Sequence, residues 1–347
     1  MPVVMEQGAS GRSFSLLPGV RCVPHREWLR GDGIAIGIVN NMPDAALEAT
    51  ERQFISLLAT ASERRPVRVR LFALPQIPRG ETAQRYLAAS YAEIGELWNA
   101  DFDALIVTGA EPQREALQQE PYWQIFTGVI DWAARNTIST IWSCLAAHAA
   151  VLHLDGVPRL PLADKCLGIF QCEKTAAHAL TTAAPAQLQV PHSRWNGVAE
   201  EALANTGYGV LSRSDEIGPD IFVKESGSLF VFLQGHPEYD ASTLLREYRR
   251  DVARFLRHER ETFPTQPQRY FDQPSAQALE AFRIRAFADR SPDLMESFPP
   301  TAMREPLISA WRASAVRLYR NWLSYLAERR ESSGRIVSLA TPELARP

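Results

Sequence analysis

The sequence predicts an α/β fold, a doubly wound, mostly parallel sheet flanked by helices, with a C-terminal helical extension. Three observations predict it. Short, nearly all-apolar runs recur at 34–39, 104–107 and 137–142, as expected of strands buried on both faces of a parallel sheet. Helical patterns separate such runs, so that four strands alternate with four helices, the last being the one that follows Cys144. The loops after these strands gather the polar and small residues, where ligands bind in sheets of this kind.

Residues 1–30 carry prolines and arginines without a clear period and read as an irregular arm. The core is expected over 31–260. Strand 34–39 ends in Asn40-Asn41-Met42-Pro43-Asp44, and helix 46–61 follows with Leu47, Phe54, Leu57 and Leu58 on one face. A strand at 67–74, a helix at 83–98, a strand at 104–107 closed by Thr108-Gly109-Ala110 and a helix at 122–135 continue the alternation. Beyond Cys144 the strands are shorter, at 166–172, 187–190, 209–213, 221–224 and 229–233, some paired as hairpins, with Gly227-Ser228 as a turn. The last of them delivers Gln234-Gly235-His236-Pro237-Glu238-Tyr239 to helix 242–257. Residues 261–303 are proline-rich with one helix, 276–288, and read as an insertion outside the core. A helix over 304–330 offers Trp311, Leu318, Trp322 and Leu326 to the core, and 331–347 reads as a flexible tail.

Composition excludes several classes. A net charge of −3 gives no pull toward nucleic acid or an anionic membrane. No apolar run approaches the roughly 20 residues a bilayer span needs. The first 24 residues lack the apolar centre of a signal peptide, so the expected location is cytoplasmic. The four cysteines, Cys22, Cys144, Cys166 and Cys172, form no CxxC pair, which argues against a zinc site and against a disulfide framework. No cofactor or metal is expected.

The stretch with chemical content is Trp142-Ser143-Cys144-Leu145-Ala146-Ala147-His148. An apolar strand, a sharp turn, a nucleophile and a small-residue helix start describe a nucleophile elbow. The turn pushes the side chain out of the sheet, and the helix N-terminus favours a thiolate. A buried structural cysteine is the competing reading, since free cysteine is among the most buried residue types. Of the seven histidines, His236 is the candidate base. It follows a buried strand, sits between Gly235 and Pro237, and has Glu238 two residues on to fix its tautomer.

Together these features resemble the homoserine O-succinyltransferase (homoserine O-acyltransferase) family, on the class I glutamine amidotransferase-like fold. The resemblance is carried by Asn41-Met42-Pro43, 50–54, Ile106-Val107-Thr108-Gly109-Ala110, Tyr122-Trp123, Pro191-His192-Ser193-Arg194, 235–240, Arg250-Asp251 and 321–325. It implies an acyl-CoA-dependent transferase acting on L-homoserine in methionine biosynthesis, with acyl-CoA as co-substrate. Cys144 would carry the acyl group as a thioester in a ping-pong scheme, His236 would be the base and Glu238 its orienting partner. Arg250 would pair with the acceptor carboxylate, and Lys165 and Ser193 would bind substrate, Ser193 also bearing on acyl recognition. Backbone N–H groups of Leu145, Asn41 and Met42 are the candidate oxyanion donors.

Three departures qualify it. Asp44 and Ala45 stand where the family commonly carries lysines, and His148 where it has glutamine. Gln113 occupies the acyl-selectivity position, small for succinyl and glutamate for acetyl, and so leaves the donor open between the two. Other readings on the same fold are an acyltransferase for another hydroxy amino acid such as serine, a glutamine amidotransferase or cysteine hydrolase, and a non-catalytic binding protein. A homodimer is the default expectation for assembly.

Overall fold

The computed structural model describes residues 3–6, 17–63 and 65–332. Its strands, in chain order, are β1 (Val3–Glu6), β2 (Val20–Val23), β3 (Ile34–Val39), β4 (Val67–Phe72), β5 (Ala104–Thr108), β6 (Ser139–Ser143), β7 (Leu160–Lys174), β8 (Gln187–Gly197), β9 (Gly209–Ser214), β10 (Gly218–Ser226) and β11 (Ser228–Leu233). The helices are α1 (His25–Arg30), α2 (Asp44–Ala61), α3 (Glu81–Ser90), α4 (Trp123–Asn136), α5 (Leu145–Asp155), α6 (Glu200–Asn205), α7 (Thr243–Leu256), α8 (Gln273–Ala288) and α9 (Glu305–Ser332). All the strands join one sheet in the order β2-β1-β4-β3-β5-β6-β11-β10-β9-β7-β8. From β2 to β11 neighbours run parallel, and from β11 to β8 they run antiparallel.

The period of two in the central strands sorts their side chains onto two faces. Ile36, Ile38, Ile106, Ile141 and Val231 pack with α2, α7, α8 and α9. Ala35, Val39, Leu105, Val107, Trp142 and Phe230 pack with α4 and α5. Trp142 stacks on Phe230 with ring centroids 5.7 Å apart, which fixes β6 beside β11 just before both strands release their polar loops. The parallel half and its covering helices therefore agree with the fold class expected from the sequence.

Several boundaries differ from expectation, each for a local reason. The segment expected as an irregular arm holds β1, β2 and α1. Val3, Met5, Val20 and Val23 are buried, and four residues per strand suffice because β1 pairs on both sides. The expected helix 83–98 splits into α3 and a 3-10 turn, Ile94–Asn99, because Tyr91 turns extended and the Ala92 N–H donates to the Leu71 carbonyl. Strand β8 runs past Pro191 to Gly197, which proline permits because β8 lies at the sheet edge. The 261–303 stretch is not outside the core. Leu279, Phe282 and Ala286 of α8 are fully buried, and Asp272 caps the helix by accepting from the Ser275 N–H. Its prolines shape the turns, while its helix closes over α7, with Phe298 between Tyr248 and Phe282. Helix α9 runs to Ser332, and the rest of the expected tail, 333–347, lies outside the described residues. No helix among the described residues is long and apolar enough to cross a membrane.

Candidate active site

Strand β6 ends at Ser143, and Cys144 takes φ +52° and ψ −111° before α5 begins at Leu145. A non-glycine residue in that conformation is strained. It is held by the Cys144 N–H, which donates to the Leu233 carbonyl of β11 at 2.7 Å. The buried Ala146, Ala147, Ala149 and Ala150 let α5 lie close to the sheet. Gly109 belongs to the same packing, since a Cβ there would meet the Leu145 Cβ at 2.5 Å. The sulfur sits at the positive end of α5, and Cys144 is only partly buried.

Strand β11 ends beside the elbow, and the loop that follows it carries His236. The His236 N–H donates to the Pro191 carbonyl at 2.8 Å, and its Nδ1 lies 2.8 Å from Glu238 Oε1. The ring stacks on Tyr239 at 4.3 Å, and the Cys144 sulfur is near enough to act on its charge. Burial opposes the imidazolium, but the Glu238 carboxylate and the Cys144 sulfur hold its pKa well above the ordinary value. The three residues the sequence singled out, Cys144, His236 and Glu238, thus come together where β6 and β11 end, with the ring held toward its charged form.

Lys165, Ser193 and Arg250 converge on a second polar group. Lys165 Nζ lies 3.1 Å from Asp251 Oδ2 and 3.5 Å from Glu247 Oε2, and Ser193 Oγ donates to Glu247 Oε2. Glu247 Oε1 accepts from the Tyr239 hydroxyl at 2.6 Å, so this group touches the ring stacked on His236. Burial works against the Glu247 carboxylate, yet Lys165, Ser193 and Tyr239 hold its pKa below the usual range. Arg250 is paired with Asp251 Oδ1 at 3.1 Å and remains nearly half exposed. The sequence reading missed Glu247 as a member. The signal available was Glu247, Arg250 and Asp251 at i, i+3 and i+4, one face of α7.

The loop after β3 departs from expectation. The Asn41 N–H donates to Thr108 Oγ1 at 2.7 Å, and the Met42 N–H turns toward Asn40 Oδ1 at 3.3 Å. The two oxyanion donors expected in this loop are therefore engaged internally, because Asn40 and Thr108 fold the loop back on itself. Leu145, the first residue of α5, keeps its place at the elbow. Asp44 accepts from the Gly80 N–H at 2.8 Å and from Arg79 Nη1 at 3.2 Å, and Arg79 also donates to the Met42 carbonyl. The cation of this loop is thus Arg79, buried and 35 positions downstream of Asp44, a spacing that no local motif reveals. Gln113 lies exposed on the loop after β5, its N–H pinned by Glu120 Oε1 at 2.6 Å; no hydrogen bond joins it to the triad.

A second cysteine–histidine–carboxylate group lies nearby. Cys172, His192 and Asp220 present ligand-type atoms within 4.8 Å of one another, all buried. His192 Nε2 faces Asp220 Oδ1 at 3.3 Å, and Arg194 Nε donates to His192 Nδ1 at 3.4 Å. Asp220 Oδ1 also accepts from the Gly235 N–H at 3.3 Å, and Oδ2 from Ser212 Oγ at 2.9 Å. With both oxygens occupied and a guanidinium at hand, these donors suit internal hydrogen bonding better than a cation.

Comparison with known proteins agrees on one family. The homoserine O-succinyltransferase family model matches residues 30–333. A homoserine O-succinyltransferase of Rhodopseudomonas palustris is 50% identical over 294 residues, 85% of this chain and 88% of that protein. One from Bradyrhizobium japonicum is 50% identical over 297 residues, 85% and 90% of the two chains. A third, from Methylorubrum extorquens, is 48% identical over 296 residues, 85% and 88%. Among solved structures, a glutamine amidotransferase of Methylobacillus flagellatus overlays 84% of this chain and 94% of its own, with a TM-score of 0.46 at 13% identity. The chain belongs to the homoserine O-succinyltransferase family.

Proposed function

We propose that this protein transfers a succinyl group from succinyl-CoA to the hydroxyl of L-homoserine through a thioester on Cys144. The observation that carries this is the Cys144–His236–Glu238 chain, with the sulfur at a strained elbow and a protonated ring beside it. The succinyl donor is favoured over acetyl by the names of relatives about half identical along most of the chain.

In the first half-reaction the Cys144 thiolate attacks the thioester carbonyl, the tetrahedral oxyanion faces the Leu145 N–H, and the CoA sulfur leaves with the His236 proton. In the second, His236 takes the proton of the homoserine hydroxyl, whose oxygen attacks the acyl-cysteine carbonyl. The Cys144 thiolate leaves, and the imidazolium is regenerated beside it. Glu238 holds the ring so that Nδ1 faces the carboxylate and Nε2 the sulfur. The half-exposed Arg250 offers the acceptor carboxylate a guanidinium, and Lys165 and Ser193 hold Glu247 at the rim.

The test is CoA release from succinyl-CoA or acetyl-CoA with and without L-homoserine. Succinyl-CoA with homoserine should turn over, initial rates should give parallel double-reciprocal lines, and succinyl-CoA alone should leave one acyl group on Cys144. Preference for acetyl-CoA would reassign the donor. Ammonia release from glutamine, with neither donor reacting, would overturn the transferase reading.

A further inference from the structure

The helix that carries the nucleophile and the strand that carries the base are tied by one buried side-chain bond. His148 lies four residues after Cys144 on α5, and its Nε2 stands 3.0 Å from Gln234 Oε1. Gln234 is two residues before His236, and both bonded side chains are buried. The direction of the bond is fixed. Gln234 Nε2 donates to the Pro219 carbonyl, which can only accept, so Oε1 faces His148 and must itself accept. His148 therefore carries its proton on Nε2, and its Nδ1 is bare and buried without a partner.

That bare nitrogen matters. Burial pushes the His148 pKa down to about 4, against the smaller opposing effect of the Gln234 bond. The ring is neutral at physiological pH and stays one fixed donor. Gln234 in turn belongs to a clamped backbone. Its N–H donates to the Asp220 carbonyl at 2.9 Å, the next N–H reaches Asp220 Oδ1, and that of His236 reaches the Pro191 carbonyl. Gly235 leaves no slack, since a Cβ there would lie 2.4 Å from Val190 Cγ1. The base loop is thus rigid, and its connection to α5 through His148 is side chain to side chain.

We propose that the His148–Gln234 bond is a positioning strut that sets the separation of the Cys144 sulfur from the His236 ring. This rests on the roles given above to Cys144 and His236. His148 touches neither substrate nor the reacting atoms; it acts through the helix that presents the sulfur. An error near 1 Å in such a separation lowers turnover by about 10²-fold.

His148→Leu, of similar bulk and without a donor, should lower kcat roughly 10- to 100-fold with KM for both substrates little changed. It should also move the pH profile of Cys144 alkylation by iodoacetamide toward that of a thiol lacking its imidazolium partner. His148→Gln, which restores an N–H donor, should recover most of both. In the double variant with Gln234→Leu, kcat should fall no further than in the worse single variant. A His148→Leu protein that melts earlier but keeps kcat and the alkylation profile makes His148 a packing residue and ends the proposal, as does full additivity of the two variants. Failure of the underlying reading looks different: Cys144→Ala would then retain acyl transfer.

Discussion

Two cysteine–histidine–carboxylate groups sit in one sheet, one where β6 and β11 end and one buried within β7, β8 and β10, and their surroundings differ. Cys144 leaves its strand at a positive φ, lies at a helix N-terminus and is partly accessible. Cys172 lies inside β7, fully buried, and burial drives its thiol pKa far up, against the modest help of Arg194. His236 is held protonated by the Glu238 carboxylate and the Cys144 sulfur, whereas burial moves His192 down. The same three residue types thus set a partly accessible cysteine beside a charged imidazole in one place and build a buried, hydrogen-bonded brace in the other. The two groups differ in backbone strain, helix end and access, the features that set a cysteine's reactivity, and not in the roster of side chains.

The comparison is sharpest at the cysteines. Cys144→Ala should abolish acyl transfer, a loss of at least about 10³-fold in kcat. Cys172→Ala should keep turnover near that of the parent and lower stability by about 1–2 kcal/mol, read by urea unfolding. Comparable loss of activity in both variants would erase the distinction. Next in size is Glu238→Gln, expected to lower kcat by about 10² or more because the amide no longer holds the ring tautomer or stabilises the imidazolium. A parallel fall in Asp220→Asn, measured in the same assay, would move the orienting carboxylate to the buried group.

A smaller effect separates the histidines by pH. His148 titrates near 4 in the folded chain and near 6.5 when unfolded, so the unfolded state binds more protons between those values. Stability from this group is complete above pH 6.5, falls as pH drops toward 4 and is lost below it. At about 1.4 kcal/mol per pH unit, the effect is ~3 kcal/mol. Glu51 runs the other way, since burial raises its carboxyl to about 7. The discriminating measurement is therefore the difference between parent and His148→Gln in urea unfolding at pH 7 and pH 4.5. Equal differences at both pH values would contradict the buried, neutral ring.

What was legible in the sequence follows the same logic. The strands 34–39, 104–107 and 137–142 were plain because they are buried on both faces, and the elbow because strand, cysteine and alanines are contiguous. Glu238 was legible because it lies two residues from His236. The four-residue β1 and β2 were not, since each becomes a strand only through β4 and its neighbours. Arg79 and Glu247 escaped because their partners are remote in sequence or on the next turn of a helix. Asn41 was misjudged because nothing local shows that its N–H is taken by Thr108 from another strand end.

Helix α9 bears on how the chain comes together. Trp322 Nε1 donates to Ser139 Oγ at the start of β6, the strand that ends at the elbow. Asn321 bonds the carbonyls of Leu180 and Thr182, and Trp311, Tyr319, Leu323 and Leu326 fill one face of the sheet. On a ribosome, every strand of the sheet emerges before the helix that covers it. Until residue 326 has cleared the exit tunnel, Ile141 and Val231 have no complete cover, and a nascent chain paused in the 290s would expose the centre of its own sheet. Synthesis and the covering of this face of the sheet are therefore tied to α9.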